Sequence, residues 1–154
     1  MAPTYPSPED LAKLVSQVTQ TMFGMAFSLA PVAQGPASDQ ADWHTVVLPI
    51  PGAHPVTVAI AADRQAAAVI GGHMFSVGPD VIDDSMIDDA VAELANIVAG
   101  QVKAAMSLDQ ALGLPEVLRK EQKQRLALGP WREATLTSGS ARTLVWVAVS
   151  AAKI

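Results

Sequence analysis

The sequence predicts an α+β fold in a single domain, with an antiparallel sheet of about six strands and two long helices packed on one face. Stretches with helical periodicity alternate with stretches rich in β-branched residues, in the order helix, strands, helices, strands. The chain has 154 residues, of which 50% are hydrophobic, which is enough for one buried core. We therefore expect one domain over residues 1–154, with a flexible N-terminus over residues 1–6.

The first helix is predicted for the stretch SPEDLAKLVSQVTQTMFG. Ser7 is a suitable N-cap, Pro8 fits the first helical position, and Asp10 makes a weak capping box with Ser7. Gly24 is a suitable end for the helix, because glycine tolerates the left-handed conformation of a C-cap. The buried face is predicted to be an apolar stripe of Leu11, Leu14, Val15, Val18 and Met22.

The middle of the chain predicts strands followed by a short helix. MAFSLAPVA is predicted to be a strand, and WHTVVLPIPGAHPVTVAIAA a hairpin that turns at Pro51-Gly52. Pro49 and Pro55 place the hairpin ends at a sheet edge or beside a bulge. ADRQAAAVIGGHM then predicts a short helix that ends at the glycine pair of residues 71–72.

The second half predicts one long helix and a closing hairpin. The longest helical pattern runs from about Asp83 to Met106. LGLPEVL, which contains Pro115, is predicted to be extended. REATLTSGSARTLVWVAVS is predicted to be a second hairpin, turning at Ser138-Gly139.

Charge is spread unevenly along the chain. Residues 1–102 contain two basic and eleven acidic residues, hence −9, and the remainder contains eight basic and four acidic ones, hence +4. Six acids lie near the start of the long helix: Asp80, Asp83, Asp84, Asp88, Asp89 and Glu93. Because carboxylates favour helix N-termini, these acids predict a well-capped helix start rather than a metal site.

Four basic residues form a cluster in the second half of the chain: Arg119, Lys120, Lys123 and Arg125. This cluster lacks interleaved aromatics and predicts a solvated loop rather than a nucleic-acid surface.

Several classes of site are disfavoured by composition. The absence of cysteine excludes disulfides, thiolate metal sites and cysteine nucleophiles. We see neither a secretory signal nor a run of about 18 apolar residues, and therefore expect a cytoplasmic protein without membrane insertion.

The three histidines, His44, His54 and His73, lack the spacing of metal ligands and are interpreted as strand or turn histidines. Trp43, Trp131 and Trp146 are predicted to anchor the core or strand ends, and most methionines to fill the core: Met22, Met25, Met74, Met86 and Met106.

Projection of the long helix at about 100° per residue separates two faces. The face predicted to pack on the sheet consists of Ile87, Val91, Leu94, Val98, Val102 and Ala105. The opposite line, which we call the ridge, consists of Asp89, Glu93, Asn96, Gly100 and Lys103. Its flanks are predicted to be a smooth surround of alanines: Ala90, Ala92, Ala95 and Ala99.

The ridge has an ordinary interpretation and a functional one. An ordinary solvated face would also expose Glu93 and Asn96. However, Gly100 costs about 1 kcal/mol relative to alanine in a helix interior, which suggests a close approach by another molecule. A carboxamide can orient a water molecule, and a carboxylate one turn away can anchor a basic group of a partner. The sequence has no glycine-rich phosphate loop, so in a hydrolase the partner would supply the phosphate and the metal.

The stretch DDAVAELANIVAGQVKAAM resembles the signature helix of the CheC/CheX/FliY family, phosphatases that act on the phosphorylated response regulator CheY. The shared pattern is Glu-x-x-Asn followed by a small apolar run and glycine, after acidic residues. The resemblance extends over most of the chain, including VTQTMFG, PVTVAIAADRQAAAVIGGHMF, LGLPEVL and the closing hairpin. A single motif resembles the CheX branch rather than the two-motif CheC branch.

The resemblance implies roles for individual residues. Glu93 would engage the active-site lysine of a CheY-type receiver domain, and Asn96 would position the attacking water. Mg²⁺ would belong to the response regulator, and this chain would have no cofactor of its own. Asp89 occupies the position where longer motifs have Asp or Ser, and Pro115 lies closer to Asn96 than the family proline does. The expected docking surface is completed by Asp89, Ala92, Gly100 and Lys103.

The implied setting is chemotaxis or related two-component signalling, with a homodimer as the implied assembly. Two alternatives remain open at this point. One is a non-catalytic adaptor of the same fold that binds a receiver or a motor component through the ridge. The other is a small dimerisation or ligand domain without a receiver partner.

Overall fold

The computed structural model describes residues 3–31, 35–36, 42–138, 143–152 and 154. Its helices are Pro8–Phe23 (α1), Arg64–Phe75 (α2) and Asp84–Ala105 (α3). Its strands are Ser28–Leu29 (β1), Trp43–Ile50 (β2), Val56–Asp63 (β3), Glu116–Leu118 (β4), Arg132–Thr137 (β5) and Leu144–Ser150 (β6). Two 3-10 helices span Pro79–Val81 and Lys120–Leu128.

The strands form one six-stranded sheet in the order β1-β5-β6-β3-β2-β4, with every neighbouring pair antiparallel. In the β2–β3 hairpin Trp43 pairs with Asp63 and Ile50 with Val56. β3 and β6 lie in the middle of the sheet, whereas the strands at the two edges have only two and three residues. The predicted α+β fold with about six antiparallel strands is confirmed.

The side chains of the sheet alternate between two apolar clusters, one on each face. The larger cluster joins the helices to residues such as Val46, Leu48, Val58 and Ile60. The smaller cluster lies on the opposite face and includes Leu126 of the longer 3-10 helix together with Val47, Ala59, Trp43 and Trp146. The two long helices α1 and α3 therefore pack on one face, as predicted.

Helix α1 begins and ends where its sequence predicts. The Asp10 N–H donates to Ser7 Oγ (3.1 Å), the Ser7 N–H donates to Asp10 Oδ2 (3.4 Å), and Gly24 adopts φ 65°. The prediction for Met22 is wrong, because its side chain is 47% exposed. Phe23 turns inward and closes the core at this end, which leaves Met22 on the solvent side of the last turn.

Helix α2 continues through its two glycines, so the prediction that the pair ends the helix is wrong. The helix ends instead at Phe75, and its C-cap is Ser76, whose left-handed backbone (φ 54°) lets its N–H donate to the carbonyl of Gly72. Gly71 is needed for close packing against α3 and the segment before it. A Cβ there would lie 2.3 Å from Ile82 Cδ1 and 3.5 Å from Ala90 Cβ.

The basic cluster is not a solvated loop but forms the start and body of the 3-10 helix over 120–128. Arg125 donates to both carboxylate oxygens of Glu116 (2.8 and 3.0 Å), and this hydrogen bonding lowers the pKa of Glu116. Lys123 Nζ donates to the carbonyl of Trp43 (3.1 Å). The cations therefore fasten this helix to β4 and β2.

The histidines and tryptophans largely follow their predicted placement. His44 lies in β2 and His54 between β2 and β3, whereas His73 lies in a helix, contrary to the prediction of a strand or turn. Trp43 and Trp146 are each only 3% exposed. Trp131 packs edge-on against Trp146 with ring centroids 5.7 Å apart.

Three further predictions concern the remaining methionines, the N-terminal segment and the turn of the second hairpin. Met106 is buried. Three other methionines are half-buried and pack against the main core: Met25, Met74 and Met86. Within the segment predicted to be flexible, Tyr5 packs against the core and lies 5.3 Å beneath the guanidinium of Arg132. Gly139, the predicted turn of the second hairpin, lies outside the described residues.

Candidate functional site

Helix α3 has a firmly fastened start. Asp83 is its N-cap and accepts a hydrogen bond from the Met86 N–H (2.8 Å). Asp84 accepts a hydrogen bond from Arg64 of α2, and this bond together with the arginine's charge lowers the pKa of Asp84. These two acids act as the sequence predicts for a helix N-terminus.

Asp88 fastens the next turn of α3 to the edge of the sheet. Its Oδ1 lies 3.1 Å from His44 Nδ1, and its Oδ2 accepts a hydrogen bond from Arg119 Nη1 at 3.1 Å. The Asp88 side chain is only 16% exposed. Sequence analysis missed this arrangement, because it joins positions 44, 88 and 119 from three separate elements.

The core-facing side of α3 is confirmed at five of its six predicted positions. Ile87, Val91, Leu94, Val98 and Val102 are each fully buried. The prediction for Ala105 is wrong, because it is exposed at the last residue of the helix.

The ridge lies opposite this core face, at the surface. Asp89 and Glu93 are exposed, while Asn96, Gly100 and Lys103 are half-buried. Within the described parts of the chain, the side chains of Asp89, Glu93 and Asn96 have no hydrogen-bond or ion-pair partner. A carboxylate and a carboxamide therefore lie one helical turn apart at the surface, and neither is bound to another described side chain of the domain.

The alanines beside the ridge do not form the predicted exposed surround. Ala90, Ala95 and Ala99 are fully buried, and Ala92 is half-buried. The small side chain of Ala90 allows α2 to approach closely at Gly71. The accessible surface around the ridge is consequently narrower than predicted.

Gly100 has no internal packing role in the described structure. A Cβ built on Gly100 would meet no atom within 4 Å, apart from its own helix backbone. The surface above the second turn after Glu93 is therefore open, and glycine here reduces helix stability without a compensating contact inside the domain.

A cleft of about 480 Å³ runs between the ridge and the ends of α1 and α2. We call it the Met22–Phe75 cleft, after its two large exposed apolar side chains, which are 47% and 41% exposed. Its lining is completed by Phe23, His73, Met74, Asp89 and Glu93. The sequence does not reveal this cleft, because the helical stripe predicts a buried Met22.

Two negative findings hold for the described residues. They contain no group of three or more His, Asp or Glu side chains placed to hold a metal ion. None of their helices is long and apolar enough to cross a membrane.

The family model described as "Chemotaxis phosphatase CheX" matches residues 44–128, slightly more than half of the chain. The match includes all of α3 and the ridge. No curated protein sequence matches the chain significantly.

Solved structures extend the likeness to most of the chain. A CheC-like superfamily protein from Shewanella sp. PV-4 superposes with a TM-score of 0.66 at 16% identity, covering 91% of this chain and 93% of the other. The chemotaxis protein CheX from Vibrio vulnificus gives 0.64 at 17% identity, with the same coverages of 91% and 93%. A CheX–CheY–BeF3–Mg²⁺ complex from Borrelia burgdorferi gives 0.64 at 14% identity, covering 91% and 94%. At these identities, the likeness establishes the fold.

Proposed function

We propose, since this chain belongs to the CheX family, that it is a phosphatase for the aspartyl phosphate of a CheY-type receiver domain. The observation that carries the proposal is the pair Glu93 and Asn96, which stands at the surface of α3 without internal partners. A structural neighbour is a CheX protein in complex with CheY, BeF3 and Mg²⁺, which supports a receiver as the partner.

In the proposed reaction Glu93 docks on the receiver and Asn96 positions the attacking water. The Glu93 carboxylate pairs with the receiver's active-site lysine and places the ridge over the phosphoryl group. The Asn96 carboxamide accepts from and donates to one water, holding its oxygen in line with the bond to be broken. The water oxygen bonds to phosphorus, the bond between phosphorus and the aspartate oxygen breaks, and the two water hydrogens leave with inorganic phosphate while the aspartate is released as a carboxylate. Mg²⁺ on the receiver would balance the charge of the phosphoryl oxygens.

A carboxamide cannot remove a proton, which is consistent with the chemistry of this substrate. An acyl phosphate is already reactive, so orientation of the water supplies most of what catalysis requires. The surrounding ridge supports this by leaving room for the receiver: Asp89, Ala92, Gly100 and Lys103 line the proposed docking surface, with Gly100 at its open end.

The test is the rate of phosphate loss from a phosphorylated CheY-type receiver, with all receivers of the same genome as candidates. We expect wild-type protein to accelerate the loss and Asn96→Ala to lower the maximal rate about a hundredfold, with little change in receiver affinity. Glu93→Ala should weaken docking as well as rate. Gln101→Ala and Glu121→Ala are matched controls, because both residues are exposed and lie off the ridge.

Two results would contradict the proposal. If excess wild-type protein accelerates phosphate loss from none of the receivers, the chain is not a phosphatase of this kind. If it binds a receiver without accelerating phosphate loss, it is the non-catalytic adaptor.

We also propose that the protein is cytoplasmic and forms a homodimer, the assembly that the family resemblance implies. Sedimentation at micromolar concentration should give twice the chain mass of 16.1 kDa. A mass of 16.1 kDa at every concentration would contradict this part of the proposal.

A further inference from the structure

The Met22–Phe75 cleft carries negative charge that the described chain does not neutralise. Asp89 and Glu93 both line it, and neither has an ion-pair partner. His73 is the single basic group of its lining. Arg64 and Arg119 are already bound to Asp84 and Asp88 on the other side of α3.

The same cleft leaves two large apolar side chains uncovered. Met22 and Phe75 belong to a small set of large apolar residues that are exposed in the described parts of the chain. Here they lie at the ends of α1 and α2, beside the two free carboxylates. An exposed apolar patch rimmed by polar residues is typical of a surface that binds a protein.

We propose that the Met22–Phe75 cleft receives a large apolar side chain of the receiver that lies beside the lysine engaged by Glu93. This inference rests on the proposed function and adds a specificity determinant to it. The occupant is defined by charge complementarity: a surface with a cation for Glu93 and an apolar group for Met22 and Phe75 satisfies both features of the cleft. Such a contact acts on binding, because neither apolar side chain can take part in proton or phosphoryl transfer.

The experiment compares the full-length chain with Met22→Ser, Phe75→Ser and the double variant. Binding is measured by titration against Mg²⁺-loaded, beryllofluoride-treated receivers, and kcat and KM are measured from phosphate release. We expect the double variant to raise Kd and KM about tenfold and to leave kcat unchanged. Leu128→Ser is the matched control, because Leu128 is 56% exposed and lies outside the cleft.

A conservative variant separates docking from folding. Phe75→Leu keeps an apolar side chain in the cleft and should bind within about twofold of wild type. Both serine variants should keep the wild-type far-ultraviolet circular dichroism, since the replaced side chains are 47% and 41% exposed.

Each outcome decides between the inferences. If wild type is active and Asn96→Ala lowers kcat, but the double variant binds like Leu128→Ser, the cleft inference is wrong and the proposed function stands. If the double variant reduces the sedimenting mass without changing receiver affinity, the cleft binds a second copy of the chain and the inference is again wrong. If wild type binds no receiver, the proposed function fails and the cleft inference fails with it.

Discussion

The two sides of α3 use the same residue type in opposite ways. On the side facing the start of α2 and the sheet edge, Asp84 binds Arg64, and Asp88 binds both His44 and Arg119. On the ridge, Asp89 and Glu93 have no partner in the described chain. Adjacent aspartates, 88 and 89, thus belong to different environments about 100° apart around the helix. Paired acids hold the helix in place, which leaves the unpaired ones free to meet another molecule.

The largest effect should come from breaking the paired side. We expect Asp88→Asn to lower the free energy of unfolding by about 2 kcal/mol, because it removes the carboxylate that binds both Arg119 and His44 at a largely buried position. Denaturant titration measures this. The neighbouring change Asp89→Asn should stay within about 0.5 kcal/mol, since Asp89 has no partner. Equal losses for the two variants would contradict the distinction between the two sides.

An intermediate effect, of opposite sign, is expected on the ridge. Gly100→Ala should raise the free energy of unfolding by up to about 1 kcal/mol, because alanine favours the helix and its Cβ would meet nothing. The same substitution should weaken receiver binding if the partner approaches the helix backbone there. Calorimetry on this variant tests the predicted gain in stability, and titration with a receiver tests the predicted loss of affinity. A more stable variant with unchanged receiver affinity would remove Gly100 from the docking surface.

The smallest effect concerns pH. Arg125 lowers the folded-state pKa of Glu116 below its ordinary value of 4.5, so the stabilisation is present above that value and is lost as pH falls through the lower folded pKa. The pair is partly exposed, so we expect Glu116→Gln to cost less than about 1 kcal/mol at pH 7. The difference from wild type should shrink as the pH falls below 4.5. A difference that grows on acidification would contradict this sign.

Local patterns predicted the elements and the polarity of α3 well, because capping and helical periodicity act over a few residues. Ser7, Gly24 and Asp83 mark helix ends through bonds within one turn. The five aliphatic core positions of α3 and the surface position of the ridge follow from the same periodicity.

The errors arise where distant segments meet. The projection predicts Ala95 and Ala99 at the surface, because it does not reveal which neighbours cover the flanks of the helix, and both are in fact buried. The sequence predicts that Gly71 ends a helix, but the structure shows that it allows close contact with Ile82 and Ala90. The cleft beside Glu93 could not be predicted, because it is assembled from the ends of α1 and α2 and the ridge of α3.

The smaller apolar cluster has an optical consequence. All three tryptophans belong to it or pack against it, on the sheet face opposite the ridge. Their fluorescence should therefore change when the sheet unfolds, yet remain insensitive to a molecule arriving at Glu93 and Asn96. Any emission change on mixing with a receiver would then come from the receiver's own chromophores, so that one instrument can follow unfolding and docking as separate signals.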